Sequence, residues 1–187
     1  GLSIFLIFSC NQSKPTLFKL VSSEHSGIDF ENTIYESDSF NVITEEYIYN
    51  GGGVGVGDFN NDGFPDLYFT GNMVSNKLYL NEGNLRFKDI TEVARVNGEG
   101  KWCSGVAVID INQDGWPDVY VANDFLSNDL LYINNKDGTF TNQIAERLRH
   151  QSFNAMGVDL ADFNNDALVD IVVLDMLPPD NFRQKNM

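Results

Sequence analysis

Short apolar runs alternate with clusters of Asp, Asn and Gly along most of the chain. Runs such as residues 67–70 and 119–122 are rich in Val, Ile, Tyr and Phe and are bounded by turn-forming residues, which is the pattern of short β-strands. Another apolar run precedes each of the polar clusters. The pattern therefore predicts units in which a strand, a polar loop and a second strand follow one another.

The polar clusters are copies of one nine-residue acidic motif. The copies occupy residues 58–66, 110–118 and 162–170, at a constant spacing of 52 residues. The first two read DFNNDGFPD and DINQDGWPD, and the third reads DFNNDALVD, with Ala167 in place of the glycine. A period in this range is the signature of a repeat architecture. We therefore expect three structural repeats.

Two further strands are predicted between consecutive motifs. Residues 77–80 align with 129–133, and residues 85–90 align with 139–144, with glycine-containing turns between them. Four strands in about 50 residues match one blade of a β-propeller. The sequence thus predicts an all-β fold with about three visible four-stranded blades of a larger propeller.

Some shorter segments also have a predicted structure. Residues 90–96 and 143–149 contain helix-favouring Ala, Glu and Arg, which predicts a helical turn after each fourth strand. Residues 17–20 and 27–30 are predicted to form the outer strand of an earlier unit. The glycine-rich run 51–57 leads into an acidic motif instead of a helix, so it is predicted to let an inner strand approach the propeller axis and not to bind phosphate.

The acidic motif has the spacing of oxygen ligands around a hard cation. Oxygen-bearing side chains stand at positions 1, 3 and 5, a glycine at position 6 permits the turn, and a carboxylate at position 9 with the carbonyl of position 7 can complete the cage. Such a set favours Ca²⁺ over Mg²⁺. The predicted ligands of two or three Ca²⁺ ions are Asp58, Asn60, Asp62, Phe64 and Asp66, then Asp110, Asn112, Asp114, Trp116 and Asp118, then Asp162, Asn164, Asp166, Leu168 and Asp170.

An alternative interpretation is that these Asp and Asn residues are ordinary turn formers that bond to their own backbone. Repulsion between three carboxylates in one loop favours the cation. Ala167 weakens the case for the third site, because a positive φ costs a residue with a Cβ about 1 kcal/mol. An EF-hand is excluded, because it needs a glutamate at position 12, where Phe69, Val121 and Val173 stand.

Composition narrows the class of protein. The chain has 187 residues, and 12 Lys and Arg against 27 Asp and Glu give a net charge of −15. This charge repels nucleic acid and anionic lipid, so neither is an expected partner. Cys10 and Cys103 are too few for a disulfide framework, and His25 and His150, expected at the surface, are too few for a histidine site. With Cys103 expected to be buried and no nucleophile–base motif, the chain is not predicted to be an enzyme.

Residues 1–10 have the character of the end of a secretory signal. Their apolar run is too short to span a bilayer and is followed by a polar stretch. With Ile7 and Ser9 before Cys10, the segment resembles the lipobox of bacterial lipoproteins. The resemblance implies lipidation at Cys10, a place outside the cytoplasm at the outer membrane or cell surface, and membrane contact only through the lipid anchor. Residues 11–16 would then be a linker and residues 17–187 the repeat region; the alternative is an N-terminal strand with Cys10 buried.

The repeats resemble FG-GAP/VCBS repeats, which are calcium-bound propeller blades also found in integrin α-subunits. This resemblance rests on residues 59–66 and 76–81. A narrower similarity is to the bacterial branch of the cartilage acidic protein family, whose members typically carry a C-terminal ASPIC/UnbV domain. It rests on residues 49–53, 71–73, 102–105, 156–159 and 174–177.

These features together predict a calcium-stabilised binding or scaffold module of a surface lipoprotein, with its remaining blades supplied by further sequence or by a partner. Residues 72–76 and 123–128 are predicted to form the surface for a carbohydrate or protein ligand. Trp102, Trp116 and Tyr120 are expected to pack between blades, although they also suit stacking on a sugar. The alternatives are an enzyme on a propeller scaffold that acts on polysaccharide, and an integrin-like adhesion protein.

Overall fold

The computed structural model describes residues 16–45, 47–124, 127–152 and 154–176. The predicted signal segment 1–10, with Cys10, and residues 11–15 of the predicted linker lie outside these ranges. The described strands are β1 (Val54–Gly57), β2 (Asp66–Phe69), β3 (Lys77–Asn81), β4 (Phe87–Asp89), β5 (Trp102–Ile109), β6 (Asp118–Asp124), β7 (Leu130–Asn134), β8 (Phe140–Asn142), β9 (Ala155–Ala161) and β10 (Asp170–Asp175). The described helices are α1 (Ser23–Ser26), α2 (Thr91–Ala94) and α3 (Ile144–Arg147), with a 3-10 turn at Gly98–Gly100.

The strands form three antiparallel sheets that follow the sequence repeat. The first repeat has the strand order β1-β2-β3-β4, the second has β5-β6-β7-β8, and the third pairs β9 with β10. In each repeat the residue before the acidic loop lies opposite the last Asp of the motif: Gly57 opposite Asp66, Ile109 opposite Asp118, and Ala161 opposite Asp170. The all-β fold and the two four-stranded units are thus confirmed. Within the described residues the sheets do not close into a ring.

The segments outside the sheets agree with the prediction only in part. Helices α2 and α3 follow the fourth strands of their repeats, as predicted. The strands predicted at residues 17–20 and 27–30 are wrong, because these residues pair with no sheet and helix α1 lies between them. Helix α1 forms because the Ser22 side chain accepts a hydrogen bond from the backbone N–H of His25 and Gly27 ends the helix at a φ of 75°. None of the helices in the described residues is long and apolar enough to cross a bilayer.

Two hydrophobic cores lie between neighbouring repeats. Strands β6 and β7 are buried along their whole length because a core covers each face of the second sheet. Alternate residues of β6 point to opposite cores, so that Val119 and Val121 face the first repeat and Tyr120 and Ala122 face the third. The buried members of the first core are Phe59, Tyr68, Leu78, Ala94, Val96, Cys103, Val119, Val121, Leu130, Tyr132 and Phe140.

Cys103 and the two histidines are placed as predicted. Cys103 is fully buried, and burial raises the pKa of its thiol to about 11, so it stays a protonated, unreactive thiol at neutral pH. His25 and His150 are exposed. These positions give no support to a cysteine- or histidine-based site in the described part of the chain.

The inner strands of neighbouring repeats approach each other closely. Strand β1 packs against β5, and β5 packs against β9. A Cβ added to Gly55 would lie 2.6 Å from a methyl carbon of Val108, and one added to Gly53 would lie 2.8 Å from a methyl carbon of Val106. Gly55 in β1 and Gly53 just before it therefore make room for the valines of β5. That the run approaches a propeller axis stays a prediction.

We expect Gly55→Val to destabilise the protein by about 2 kcal/mol, because the added methyl groups overpack the contact with Val108. The matched control is Gly51→Val, since a Cβ at Gly51 would meet no atom within 4 Å. The control should change the free energy of unfolding by less than about 0.5 kcal/mol. Chemical denaturation of both variants measures the difference, and equal losses would contradict the close approach of the inner strands.

Candidate functional site

The three acidic loops, residues 58–66, 110–118 and 162–170, have the same backbone conformation. At position 4 of the motif, φ is 54° at Asn61, 58° at Gln113 and 60° at Asn165. At position 6, φ is 88° at Gly63, 85° at Gly115 and 67° at Ala167. The expected left-handed turn is present in every loop, including the third, where Ala167 adopts it at a steric cost.

Side-chain oxygens at positions 1, 3 and 5 gather around this turn. In the first loop the carboxylate of Asp58 accepts hydrogen bonds from the backbone N–H groups of Asp62 at 2.9 Å and Gly63 at 2.8 Å. Asn60 Oδ1 accepts from the N–H of Asp62 at 3.2 Å, and Asp62 Oδ1 accepts from the N–H of Phe64 at 2.9 Å. Most of these oxygens carry a second lone pair that their single backbone bond leaves unused.

The second and third loops repeat these bonds. Asp110 accepts from the N–H groups of Asp114 and Gly115 at 2.9 and 2.7 Å, and Asp162 accepts from those of Asp166 and Ala167 at 3.1 and 2.9 Å. The bonds to positions 3 and 5 are also present, through Asn112 and Asp114 in the second loop and Asn164 and Asp166 in the third. The structure therefore brings the residues predicted at positions 1, 3 and 5 together in all three loops.

The aspartate at position 9 has a different environment. Asp66 is fully buried, and its two oxygens accept hydrogen bonds from the N–H groups of Phe59 at 2.8 Å and Asn81 at 2.7 Å. Asp118 is also fully buried and accepts from Ile111 at 3.0 Å and Asn134 at 2.8 Å. This carboxylate therefore links the acidic loop to the end of the third strand of its repeat.

The third loop has only part of this arrangement. Asp170 accepts a hydrogen bond from the N–H of Phe163 at 3.0 Å. It is less buried than its two counterparts, and the described residues contain no third strand in its repeat. Whether the carboxylate at position 9 also binds a cation stays a prediction in all three loops.

Burial and hydrogen bonding act in opposite directions on the pKa of these carboxylates. Burial raises the pKa of Asp66 and Asp118 above the ordinary value, while the backbone N–H bonds lower it and the carboxylates of Asp62 and Asp114 raise it again. Burial also raises the pKa of Asp114, but hydrogen bonds from Asn112 and Lys136 bring it below the ordinary value. The Lys136 ammonium lies 3.2 Å from the Asp114 carboxylate, so the second loop already has one cationic neighbour.

The donor set of the loops suits a hard cation, because positions 1, 3 and 5 supply only carboxylate and amide oxygens. Within the described ranges, no three His, Cys, Asp or Glu side chains are grouped as a metal cluster. An Asn stands at position 3, and the third acidic residue of each motif, at position 9, bonds to the backbone. A cation in these loops would therefore depend on the Asn amide oxygen and on backbone carbonyls as well as on carboxylates.

Amide side chains connect each acidic loop to the next. Asn61 Nδ2 donates a hydrogen bond to the carbonyl oxygen of Gly115 at 3.1 Å, and Gln113 Nε2 donates to the carbonyl oxygen of Ala167 at 2.6 Å. In both cases position 4 of one motif bonds to position 6 of the following motif. The sequence reasoning missed this link, although an amide stands at position 4 in all three copies.

A second arrangement that occurs in both complete repeats lies at the end of the strands opposite the acidic loops. In the first repeat, Asn76 donates to the Tyr68 hydroxyl at 3.0 Å and accepts from the N–H of Gly71 at 2.8 Å. In the second repeat, Asp129 takes the same place: it accepts from the Tyr120 hydroxyl at 2.6 Å and from the N–H of Asn123 at 2.8 Å. The sequence reasoning missed both groups, whose signal is a polar residue directly before the third strand.

The residues predicted to contact a ligand lie in different places in the structure. Tyr120 is buried between repeats, as the packing interpretation predicts, so its ring cannot stack on a sugar. Trp116 lies in the second acidic loop, whereas Trp102 lies at the opposite end of the strands. There Trp102, Asn72 and Met73 from residues 72–76, and Asp124 and Ser127 from residues 123–128, line a cleft of about 580 Å³, while residues 125 and 126 lie outside the described ranges.

Comparison with known families agrees with the repeat. A family model described as an FG-GAP-like repeat matches the chain twice, over residues 58–121 and 110–173. Each match begins at the first Asp of an acidic loop and runs into the second strand of the following repeat. The two matches together cover more than half of the chain. No curated protein matches it.

The stability of the protein should depend on pH through the buried Asp129. Substitutions that exchange the side chains of Asp129 and its equivalent Asn76 should change that dependence. Burial raises the pKa of Asp129, so folding favours its protonated form. Its contribution to stability is fully present below its pKa in the unfolded chain and declines as the pH rises through its higher pKa in the folded protein. The free energy of unfolding of the wild type minus that of Asp129→Asn should therefore fall as the pH rises from about 3, below the ordinary pKa of an aspartate, towards neutral pH.

The reciprocal variant is the matched control. Asn76→Asp places a carboxyl group at the fully buried equivalent position of the first repeat, so it should lower stability at neutral pH and lose less at acid pH. Urea denaturation across this pH range measures both variants. A wild-type profile that Asp129→Asn does not change would contradict the assignment.

Proposed function

Because the chain belongs to the FG-GAP-like repeat family, we propose that it is a calcium-stabilised binding module made of β-propeller blades. Repeats of this family form generic binding or scaffold domains, are typically non-catalytic, and occur in extracellular proteins. The proposal places the chain outside the cytoplasm as part of a surface lipoprotein anchored through Cys10. It also assigns the chain to the bacterial branch of the cartilage acidic protein family, on the segments similar to that branch.

The observation that carries the calcium role is the triple occurrence of one oxygen-rich turn. Asp58, Asp110 and Asp162 each begin a loop in which two further oxygen-bearing side chains face the same left-handed turn. The protein carries a net charge of −15, and calcium would supply positive charge to its acidic loops. The side chains at positions 1, 3 and 5 would hold it, while Asp66 and Asp118 keep the first two loops attached to their sheets.

The expected role of the cation is structural. The acidic loops join the first and second strands of each repeat, and the Asn61 and Gln113 amides join one loop to the next. A cation that rigidifies one loop therefore acts on its own hairpin and on the position of the neighbouring repeat. This leaves the opposite end of the strands available for a ligand.

A thermal melt of the whole chain in calcium and in EDTA, with a calorimetric count of bound ions, tests this role. For a Kd of about 10⁻⁴ M, calcium at about 100 times the Kd should add about 2.7 kcal/mol per site to the free energy of unfolding. Two or three bound ions are expected. A chain that is folded by circular dichroism, binds no calcium and melts at the same temperature in EDTA would contradict the proposal.

Variants separate metal ligands from turn formers. Asp62→Ala and Asp114→Ala should lower the melting temperature in calcium and change it little in EDTA, because both side chains lie in solvent-accessible loops. Asp66→Ala should instead destabilise the protein by about 3 kcal/mol in both conditions, because it leaves two backbone N–H groups without an acceptor.

The control for these variants is Asp38→Ala, which removes an exposed carboxylate outside the acidic loops. It should leave the melting temperature unchanged in both conditions. Equal losses for Asp62→Ala in calcium and in EDTA would support the turn-former interpretation and overturn the role assigned to that residue.

A further inference from the structure

The cleft at the end of the strands opposite the acidic loops has aromatic walls. Tyr35, Phe40 and Trp102 line it, together with Met73. The Phe40 and Trp102 rings have centroids 5.7 Å apart and planes inclined at 65°, so they form a corner. The Tyr35 side chain is 67% exposed. The cleft, of about 580 Å³, is thus open to solvent and lined by three different aromatic residues.

Residues far apart in sequence hold these walls in place. The backbone N–H of Tyr35 donates a hydrogen bond to the Met73 sulfur at 3.1 Å. Asn32 Nδ2 donates to Asn72 Oδ1 at 2.6 Å, and the N–H of Asn72 donates to Asn32 Oδ1 at 3.0 Å. These bonds attach the segment that carries Tyr35 to the first repeat, and the cleft is therefore built into the fold.

The polar side chains of the cleft mostly bond to the protein itself. Asn72 bonds to Asn32, and its Nδ2 also donates to the carbonyl oxygen of Cys103 at 3.2 Å. Lys101 Nζ lies 3.4 Å from a Glu99 carboxylate oxygen and donates to the carbonyl oxygen of Asn128 at 3.2 Å. Ser127 Oγ donates to the carbonyl oxygen of Asp124 at 3.0 Å.

This arrangement distinguishes between ligand classes. A sugar buries many hydroxyl groups, each of which loses a water partner and needs a protein partner in return. A quaternary ammonium group has no N–H to satisfy and binds through the faces of aromatic rings. The side chains of the cleft offer aromatic faces more readily than uncommitted hydrogen-bonding groups, so they favour the ammonium group.

Charge favours the same ligand class. Asp124 adds a carboxylate to the cleft and lies directly opposite Trp102 in the pairing of β5 with β6. The positive charge of Lys101 is offset by Glu99. The net charge of −15 attracts cations to the surface as a whole.

We propose that the aromatic cleft formed by Tyr35, Phe40, Trp102 and Met73 binds a quaternary ammonium group, with Asp124 supplying negative charge. The inference deepens the proposed binding role by naming a ligand class, and it does not depend on calcium. Sugar binding, the other class that aromatic side chains suit, is an outcome of the test.

Fluorescence of Trp102 reports the binding directly. The chain has two tryptophans, and Trp116→Phe leaves Trp102 as the reporter while placing at position 7 of the second motif the residue that Phe64 provides in the first. In this background, the Trp102 emission should change with increasing choline concentration and reach saturation. The uncharged carbon isostere of choline, 3,3-dimethylbutan-1-ol, should bind at least about ten-fold more weakly, because it lacks the charge that the ring faces attract.

A variant locates the site. Tyr35→Ala should weaken choline binding about five-fold, because it removes one aromatic face from an exposed position. Tyr47→Ala is the matched control, since Tyr47 is also an exposed tyrosine and does not line the cleft. It should leave binding unchanged. The comparison of choline with its isostere requires no variant of the cleft, so it decides the role of charge even if Tyr35→Ala perturbs folding.

Each remaining outcome decides for or against the proposal. Equal binding of choline and its isostere, or a response to cellobiose or maltose without a response to choline, would overturn it, and so would no response to any of these probes. Titrations in calcium and in EDTA separate it from the metal role. Choline binding to a folded chain that takes up no calcium would overturn the metal role alone, whereas calcium binding without choline binding would overturn this inference alone.

Discussion

In each of the two complete repeats, a buried aspartate at the last position of the acidic motif attaches the acidic loop to its own sheet. Asp66 and Asp118 each accept one backbone hydrogen bond from the start of the acidic loop and one from the end of the third strand. Since an unpaired buried donor is costly, these bonds determine where the loop can lie on its sheet. The oxygens at positions 1, 3 and 5 are thereby left at the solvent-facing side of the turn, where a cation has access to them.

The two ends of the strands have different chemistry. One end carries acidic loops that are connected from repeat to repeat by Asn61 and Gln113. The other end carries the buried Tyr68–Asn76 and Tyr120–Asp129 pairs and the aromatic cleft. Strands β6 and β7, buried on both faces, connect the two ends. In such a module the proposed structural cation and the proposed ligand would bind at opposite ends of the strands.

Equivalent positions of the repeats are not chemically identical. The carboxyl group of Asp129 occupies the place of the Asn76 amide, and Ala167 adopts the left-handed conformation that glycine adopts in the other two loops. The strand pairing beside these positions has the same register in the repeats compared, so these differences change charge and strain without changing the fold. We expect them to give neighbouring repeats different responses to pH and, under the proposed calcium role, to cations.

The sequence by itself determined the repeat, the strands that flank each acidic loop and the left-handed turn inside it, because these features depend on residues close together in the chain. The same reasoning was wrong for residues 17–20 and 27–30, where apolar residues are present without a sheet to pair with. Only the tertiary structure decided that Asp66 bonds to Asn81, that Asp129 bonds to Tyr120, and that Tyr35, Phe40 and Trp102 line one cleft. The first two contacts depend on how strands pair within a sheet, and the third depends on how the N-terminal segment packs against the repeats. Local patterns of polarity specify neither.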